Sequence, residues 1–146
     1  MKIWIQNLQR HTRLDSRKLR TALRKILTEL ELPEAELSIL FVGDERIRVL
    51  NRQYLQRDKP TNVLAFPMRE GEPSGFQPNL LGDLVISVET AKRQSKQFGL
   101  NEMSMVTLLM IHGILHLLGY DHERSKKEAR QMAFKQKQLL QKVFQK

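Results

Sequence analysis

An α+β fold, with a mixed sheet of about four strands packed with about five helices in a single domain, is what this sequence predicts. Two observations carry the prediction. Short apolar runs bounded by turn residues, the length of strands, alternate with longer stretches whose apolar residues recur every three or four positions, the period of a half-sunk helix. Late in the chain, Met103 to Leu118 is apolar on nearly every side, the pattern of a helix buried in the core. At 146 residues, one domain spanning 1–146 buries roughly two-thirds of its unfolded surface without staples.

Ile3, Ile5 and Leu8 make a weakly patterned opening strand. Asp15 or Ser16 caps a helix running to about Leu32, with Leu19, Leu23, Ile26, Leu27 and Leu30 on one face and basic residues on the other; Pro33 ends it. Leu37 to Val42 is a strand by its short apolar run, and Gly43 and Asp44 supply turn and cap for a helix through Ile47, Leu50 and Tyr54. Asp58-Lys-Pro-Thr-Asn62 is turn chemistry ahead of a strand from Val63 to Phe66, stopped by Pro67. Met68 to Asn79, rich in Gly and Pro, reads as a long surface loop of a kind that is often functional. Leu81 to Ser87 is a further strand, leading into a helix from Val88 to Phe98 that Gly99 stops, and Asn101 caps the buried helix. A capping box, Ser125 to Glu128, opens a last helix expected to bury Ala129, Met132, Ala133 and Leu140.

Lys and Arg outnumber Asp and Glu by 25 to 16, a formal net charge of +9, and the excess sits in two runs. Between Arg10 and Lys25 seven basic residues face Asp15 alone, and between Arg124 and Lys146 eight face Glu128 alone. Such faces attract polyanions in a salt-dependent way, with a merely solvated helix face as the plain alternative. No aromatic motif is interleaved with the charges, so no stacking platform for single-stranded bases is expected. The absence of cysteine excludes a disulfide partner and thiolate-held metal and fits a reducing compartment. MKIWIQNLQR lacks a signal-peptide apolar stretch, and Met103 to Leu118 is too short and too punctuated by Ser104, Thr107 and two histidines to span a bilayer. A soluble, cytoplasmic protein without a membrane partner is the expectation.

Three of the four histidines lie within eleven residues, as His112-Gly-Ile-Leu-His116-Leu-Leu-Gly119-Tyr-Asp-His122. Residues four apart on a helix sit about 40° apart around the axis and about 6 Å along it, so His112 and His116 face the same way. His122 would face elsewhere on a continuous helix. Gly119 permits a left-handed turn that brings it back. Three neutral imidazoles leave one corner of a tetrahedron open, as in catalytic zinc sites, where the metal brings the pKa of bound water to about 7. A hydrogen-bonded histidine cluster is the alternative, but unpaired imidazoles in an apolar helix are costly and a metal removes that cost. Zinc, one per chain, stands ahead of other divalent metals that imidazole also suits.

The spacing matches the metzincin peptidase pattern H-E-x-x-H-x-x-G-x-x-H except that Gly113 replaces the glutamate that acts as general base. Peptidase chemistry is therefore disfavoured, although a metallopeptidase-like or other metal hydrolase remains an alternative. Asp121, beside His122, is a candidate to accept an imidazole N–H or a proton from metal-bound water, or more simply to cap the last helix. Thr61 and Asn62 read as turn residues that border the site, Asp83 as a structural strand residue, and His11 as an exposed titrating side chain.

HGILHLLGYDH at 112–122, KPTNVLAFP at 59–67 and LLGDLVIS at 80–87 together resemble the YbeY family of bacterial endoribonucleases. The resemblance implies a zinc held by the three histidines and single-strand-specific cleavage in small-subunit ribosomal RNA maturation and ribosome quality control, with ribosomal RNA and the small ribosomal subunit as partners. It also implies that the strand after Asn62 lies near the open metal position. A non-catalytic RNA-binding assembly factor with a structural metal is the other alternative. The family usually carries an active-site arginine directly after the aromatic residue that precedes the KPT motif. Here Leu55 follows Tyr54. Arg57 and Arg52 are the candidates to reach the same region and stabilise charge on phosphoryl oxygens, a solvated loop cation being the plain alternative for Arg57.

Overall fold

In the computed structural model the described residues, 1–68 and 79–145, form β1 (Lys2–Asn7), α1 (Ser16–Glu29), β2 (Glu36–Val42), α2 (Asp44–Leu55), β3 (Val63–Pro67), β4 (Leu80–Ser87), α3 (Val88–Phe98), α4 (Glu102–Leu117) and α5 (Lys126–Val143). The strands make one sheet in the order β1-β2-β4-β3. β1, β2 and β4 are parallel, and β3 pairs antiparallel with β4 at the edge. The sheet is thus mixed, as the alternating pattern predicts. The greater part of the expected loop, 69–78, lies outside the described residues.

The central strands are apolar on both faces because both faces are covered. Leu37, Ile39, Phe41, Leu84 and Ile86 join Leu23 and Ile26 of α1 and Met110 and Ile114 of α4 in the main core. On the other face Val42, Leu64 and Val85 pack under Ile47 of α2. Asp44, at the start of α2, ties that helix to α3: its carboxylate accepts from Ser87 Oγ at 2.7 Å, Thr90 Oγ1 at 2.6 Å and Arg93 at 2.7 Å. Burial pushes the Asp44 carboxyl up, but these hydrogen bonds and the Arg93 charge outweigh it and hold the pKa below the usual carboxylate value.

Two glycines permit close packing that a side chain would block. Gly82 sits in a bulge of β4 at φ +140°, where a Cβ would run into the Phe66 carbonyl. Gly113 lets α4 lie on the sheet, since a Cβ there would stand 2.7 Å from Leu84 Cδ2.

Local sequence sets most element ends. Asp15 caps α1 by accepting from the Arg17 and Lys18 backbones, Asn101 caps α4, and Ser125 caps α5. α1 stops at Glu29 rather than near Leu32, because Glu31 takes φ +60° and Leu32 N–H returns to Leu27 O at 2.8 Å. Leu8 falls beyond β1 and is exposed. The residues buried along α5 differ most from expectation. Met132, Leu139 and Val143 are buried, Ala129 and Leu140 only partly, and Ala133 is exposed. The small alanines do not set the phase of this helix; the stripe 132/136/139/143 does, and it includes Gln136.

Candidate metal centre

α4 and the turn after it present the three histidines. Leu118 ends the helix, Gly119 takes φ +99°, its N–H bonds to His116 O at 3.0 Å, and Tyr120 N–H bonds to Leu115 O at 3.0 Å. This is the paired hydrogen-bond closure that a left-handed glycine completes. It turns the chain so that His122 swings back over the helix. One ligand atom from each of His112, His116 and His122 lies within 4.8 Å of the others, and the ring centroids are 4.6 to 5.2 Å apart. His116 Nε2 and His112 Nε2 are 3.1 Å apart.

That separation fits a metal. Nitrogen ligands about 2.0–2.1 Å from a tetrahedral ion stand about 3.3 Å from one another. The other nitrogen of His112, Nδ1, donates to the amide oxygen of Gln136 on α5. With Nδ1 carrying the proton, Nε2 keeps its lone pair for the shared centre. The three histidines could therefore hold a metal ion. Burial lowers the pKa of His112, its repulsion with His116 and His122 adds to that, and the Gln136 bond opposes it. Burial and His122 likewise lower His116 against the pull of Asp121, Glu123 and the Tyr120 backbone. Both shifts favour the neutral ring, the form that ligates.

A cleft of about 670 Å³ opens beside the histidines, walled by β3 from Val63 to Ala65, by Leu55 at the end of α2, and by Asn51, Arg57, Lys59, Thr61 and Asn62. Arg57 and Lys59 face it, whereas Arg52 is not among the residues that line it. Asn51 fixes this wall: it is buried, its Nδ2 donates to Lys59 O at 2.9 Å, and its own carbonyl accepts from Arg57 N at 3.3 Å. The Arg48–Asp58 pair at 2.9 Å holds the same loop from outside.

Asp121 borders the cleft, but its Oδ1 accepts from Glu123 N at 2.8 Å and its Oδ2 lies 3.4 Å from Arg124 Nε. It shapes the turn that carries His122, and α5 is capped by Ser125 instead. Asn62 lines the cleft while its Oδ1 accepts from Val63 N at 2.7 Å and its Nδ2 donates to Gln94 at 3.2 Å. Asp83 lies on β4 away from the cleft lining, and exposed His11 pairs with Glu89 at 3.3 Å. Sequence reasoning missed Gln136 and Asn51. Each is a polar residue on an otherwise buried helical stripe, 132/136/139/143 and 47/51, and that mismatch is the signal that marks them.

A sequence model of the family described as Endoribonuclease YbeY matches residues 4–144. The chain belongs to the YbeY family. A relative from Syntrophotalea carbinolica named Endoribonuclease YbeY is 46% identical over 142 residues, 97% of this chain and 95% of its own length. Another of the same name from Geobacter metallireducens is 44% identical over 140 residues, 95% of this chain and 93% of that one. The solution structure of TM1509 from Thermotoga maritima superposes with a TM-score of 0.67 at 26% identity, covering 97% of this chain and 89% of that one. The YbeY resemblance read from the three sequence words thus extends over nearly the whole chain.

Proposed function

We propose that this chain is a zinc-dependent, single-strand-specific endoribonuclease that matures small-subunit ribosomal RNA in the cytoplasm and serves ribosome quality control. The observation that carries the reading is the convergence of three histidines on a cleft that Arg57 and Lys59 also line, in a chain of the YbeY family. His112, His116 and His122 would hold one zinc ion. The metal, when bound, supplies Lewis acidity and an activated water at neutral pH. Arg57 places its guanidinium toward the phosphoryl oxygens of a bound strand and offsets the charge that grows there. Asp121 holds the His122 turn and can take a proton from the nucleophile. The family name borne by the relatives supports RNA as the substrate.

Gly113 weighs against the peptidase alternative twice over: it has no base, and Leu84 fills the space a side chain would enter. The deciding experiment is cleavage of precursor ribosomal RNA with and without added zinc, comparing wild type with His116→Ala and Arg57→Ala. Loss of cleavage in His116→Ala is expected. Cleavage that persists undiminished in that variant, once contaminating nuclease is removed, sinks the hydrolase reading.

A further inference from the structure

The most exposed large apolar side chain among the described residues is Phe134, 69% accessible, and it stands on the outer ridge of α5. A lone exposed apolar residue needs no explanation. This one is placed among cations. Lys127 and Arg130 lie seven and four residues before it and Lys137 three after, offsets that put all of them on one side of a helix, and all are exposed. None of the three is in an ion pair among the described residues, whereas Lys2, Arg48, Lys92 and Arg93 elsewhere each hold a carboxylate. α1 packs along α5, and Lys25 Nζ donates to Val143 O at 3.2 Å, so the two basic runs of the sequence meet in neighbouring helices.

Position on the helix sets where this ridge stands relative to the metal centre. Gln136, which holds His112, projects about 160° around the axis from Phe134. The ridge and the histidines therefore lie on opposite sides of α5, at least one helix diameter, about 10–12 Å, apart. We propose that the outer ridge of α5 is a second contact surface for single-stranded RNA, in which Phe134 stacks on an unpaired base and Lys127, Arg130 and Lys137 meet the flanking phosphates. The proposal rests on RNA being the substrate, as proposed above. An aromatic face set among unpaired cations is the arrangement that binds single strands without sequence preference. The sequence hid it because Phe134 is the one aromatic residue of α5, so no aromatic pattern marks a motif.

The test uses the full chain carrying Trp4→Phe and Phe134→Trp, which moves the one tryptophan onto the ridge. Titration with an unstructured oligoribonucleotide should quench the introduced indole saturably. Phe134→Ala should weaken binding by about 5- to 150-fold. Arg130→Gln with Lys137→Gln should flatten the slope of log affinity against log salt by about 1.4. In turnover, Phe134→Ala should raise KM for a long RNA and leave kcat as it is. Unchanged affinity and salt slope in these variants overturn the proposal, as does quenching by anionic lipid vesicles but not by RNA. If RNA quenches the indole yet no RNA is ever cleaved, the ridge stands and the nuclease reading falls.

Discussion

Replacing Gln136 by alanine removes the hydrogen-bond partner of His112 Nδ1, the one that ring has on that side among the described residues. Two effects follow from that loss. The imidazole is freed to rotate or to move its proton to Nε2, which removes the lone pair aimed at the shared centre, and a half-buried N–H is left without an acceptor. Partners that orient a ligating histidine are typically worth 10- to 100-fold in metal affinity, about 1.4–2.7 kcal/mol. The His112 and His116 nitrogens already converge to 3.1 Å, so most of what Gln136 adds is pre-organisation, and a loss in the middle of that range is expected. Gln136→Glu keeps the acceptor and makes the bond charge-assisted, roughly twice as strong, so it should bind zinc at least as well as wild type. The assay is competition for zinc against a chromophoric chelator, with thermal unfolding of the metal-free proteins alongside. Wild-type affinity in Gln136→Ala would refute the reasoning. So would equal losses in the alanine and glutamate variants that follow their stability alone.

Four further outcomes are expected. Because burial lowers the pKa of His112 and His116, the metal-free fold binds fewer protons than the unfolded chain once pH drops below about 6.5; its stability to urea should fall from there until the folded-state pKa values are passed, and a His112→Asn, His116→Asn protein should show a flatter profile. Arg57→Ala should cut turnover by about 10²-fold, and since residue 55 lines the same cleft, adding Leu55→Arg should recover part of it; no recovery with intact zinc binding would argue that the two positions do not serve one role. Gly113→Ala gains about 1 kcal/mol of helix propensity but forces a contact 2.7 Å from the Leu84 methyl, an overpacking cost of about 1–3 kcal/mol, so a lowered urea midpoint is expected and a raised one would mean that Leu84 yields freely. Zinc at about 100 times its dissociation constant should stabilise the protein by about 2.7 kcal/mol, read as a chelator-reversible rise in Tm that His122→Ala removes.

The local rules worked where the cause is local. Strand and helix order, the caps at Asp15, Asn101 and Ser125, and the glycine turn that brings His122 back all follow from a few adjacent residues. The phase of α5 is not legible in its own segment because alanine is equally at home on either face of a helix, and what covers each face is decided by α4 and α1. The candidate arginine shows the same division. Arg52 and Arg57 are equivalent by composition, and it is the Asn51 bonds to the loop, with the Arg48–Asp58 pair, that put Arg57 and Lys59 on the cleft wall.

By itself the sequence determined that two imidazoles share a helix face and that a third returns through Gly119, since both depend on helix period and one left-handed residue. It also determined that position 113 carries no base. Only the tertiary structure decided why a glycine stands there, which polar residue steadies His112 and what lies across the cleft. Those are contacts between segments far apart in the chain, Leu84 against Gly113 and Gln136 against His112, and spacing along one segment carries no record of them.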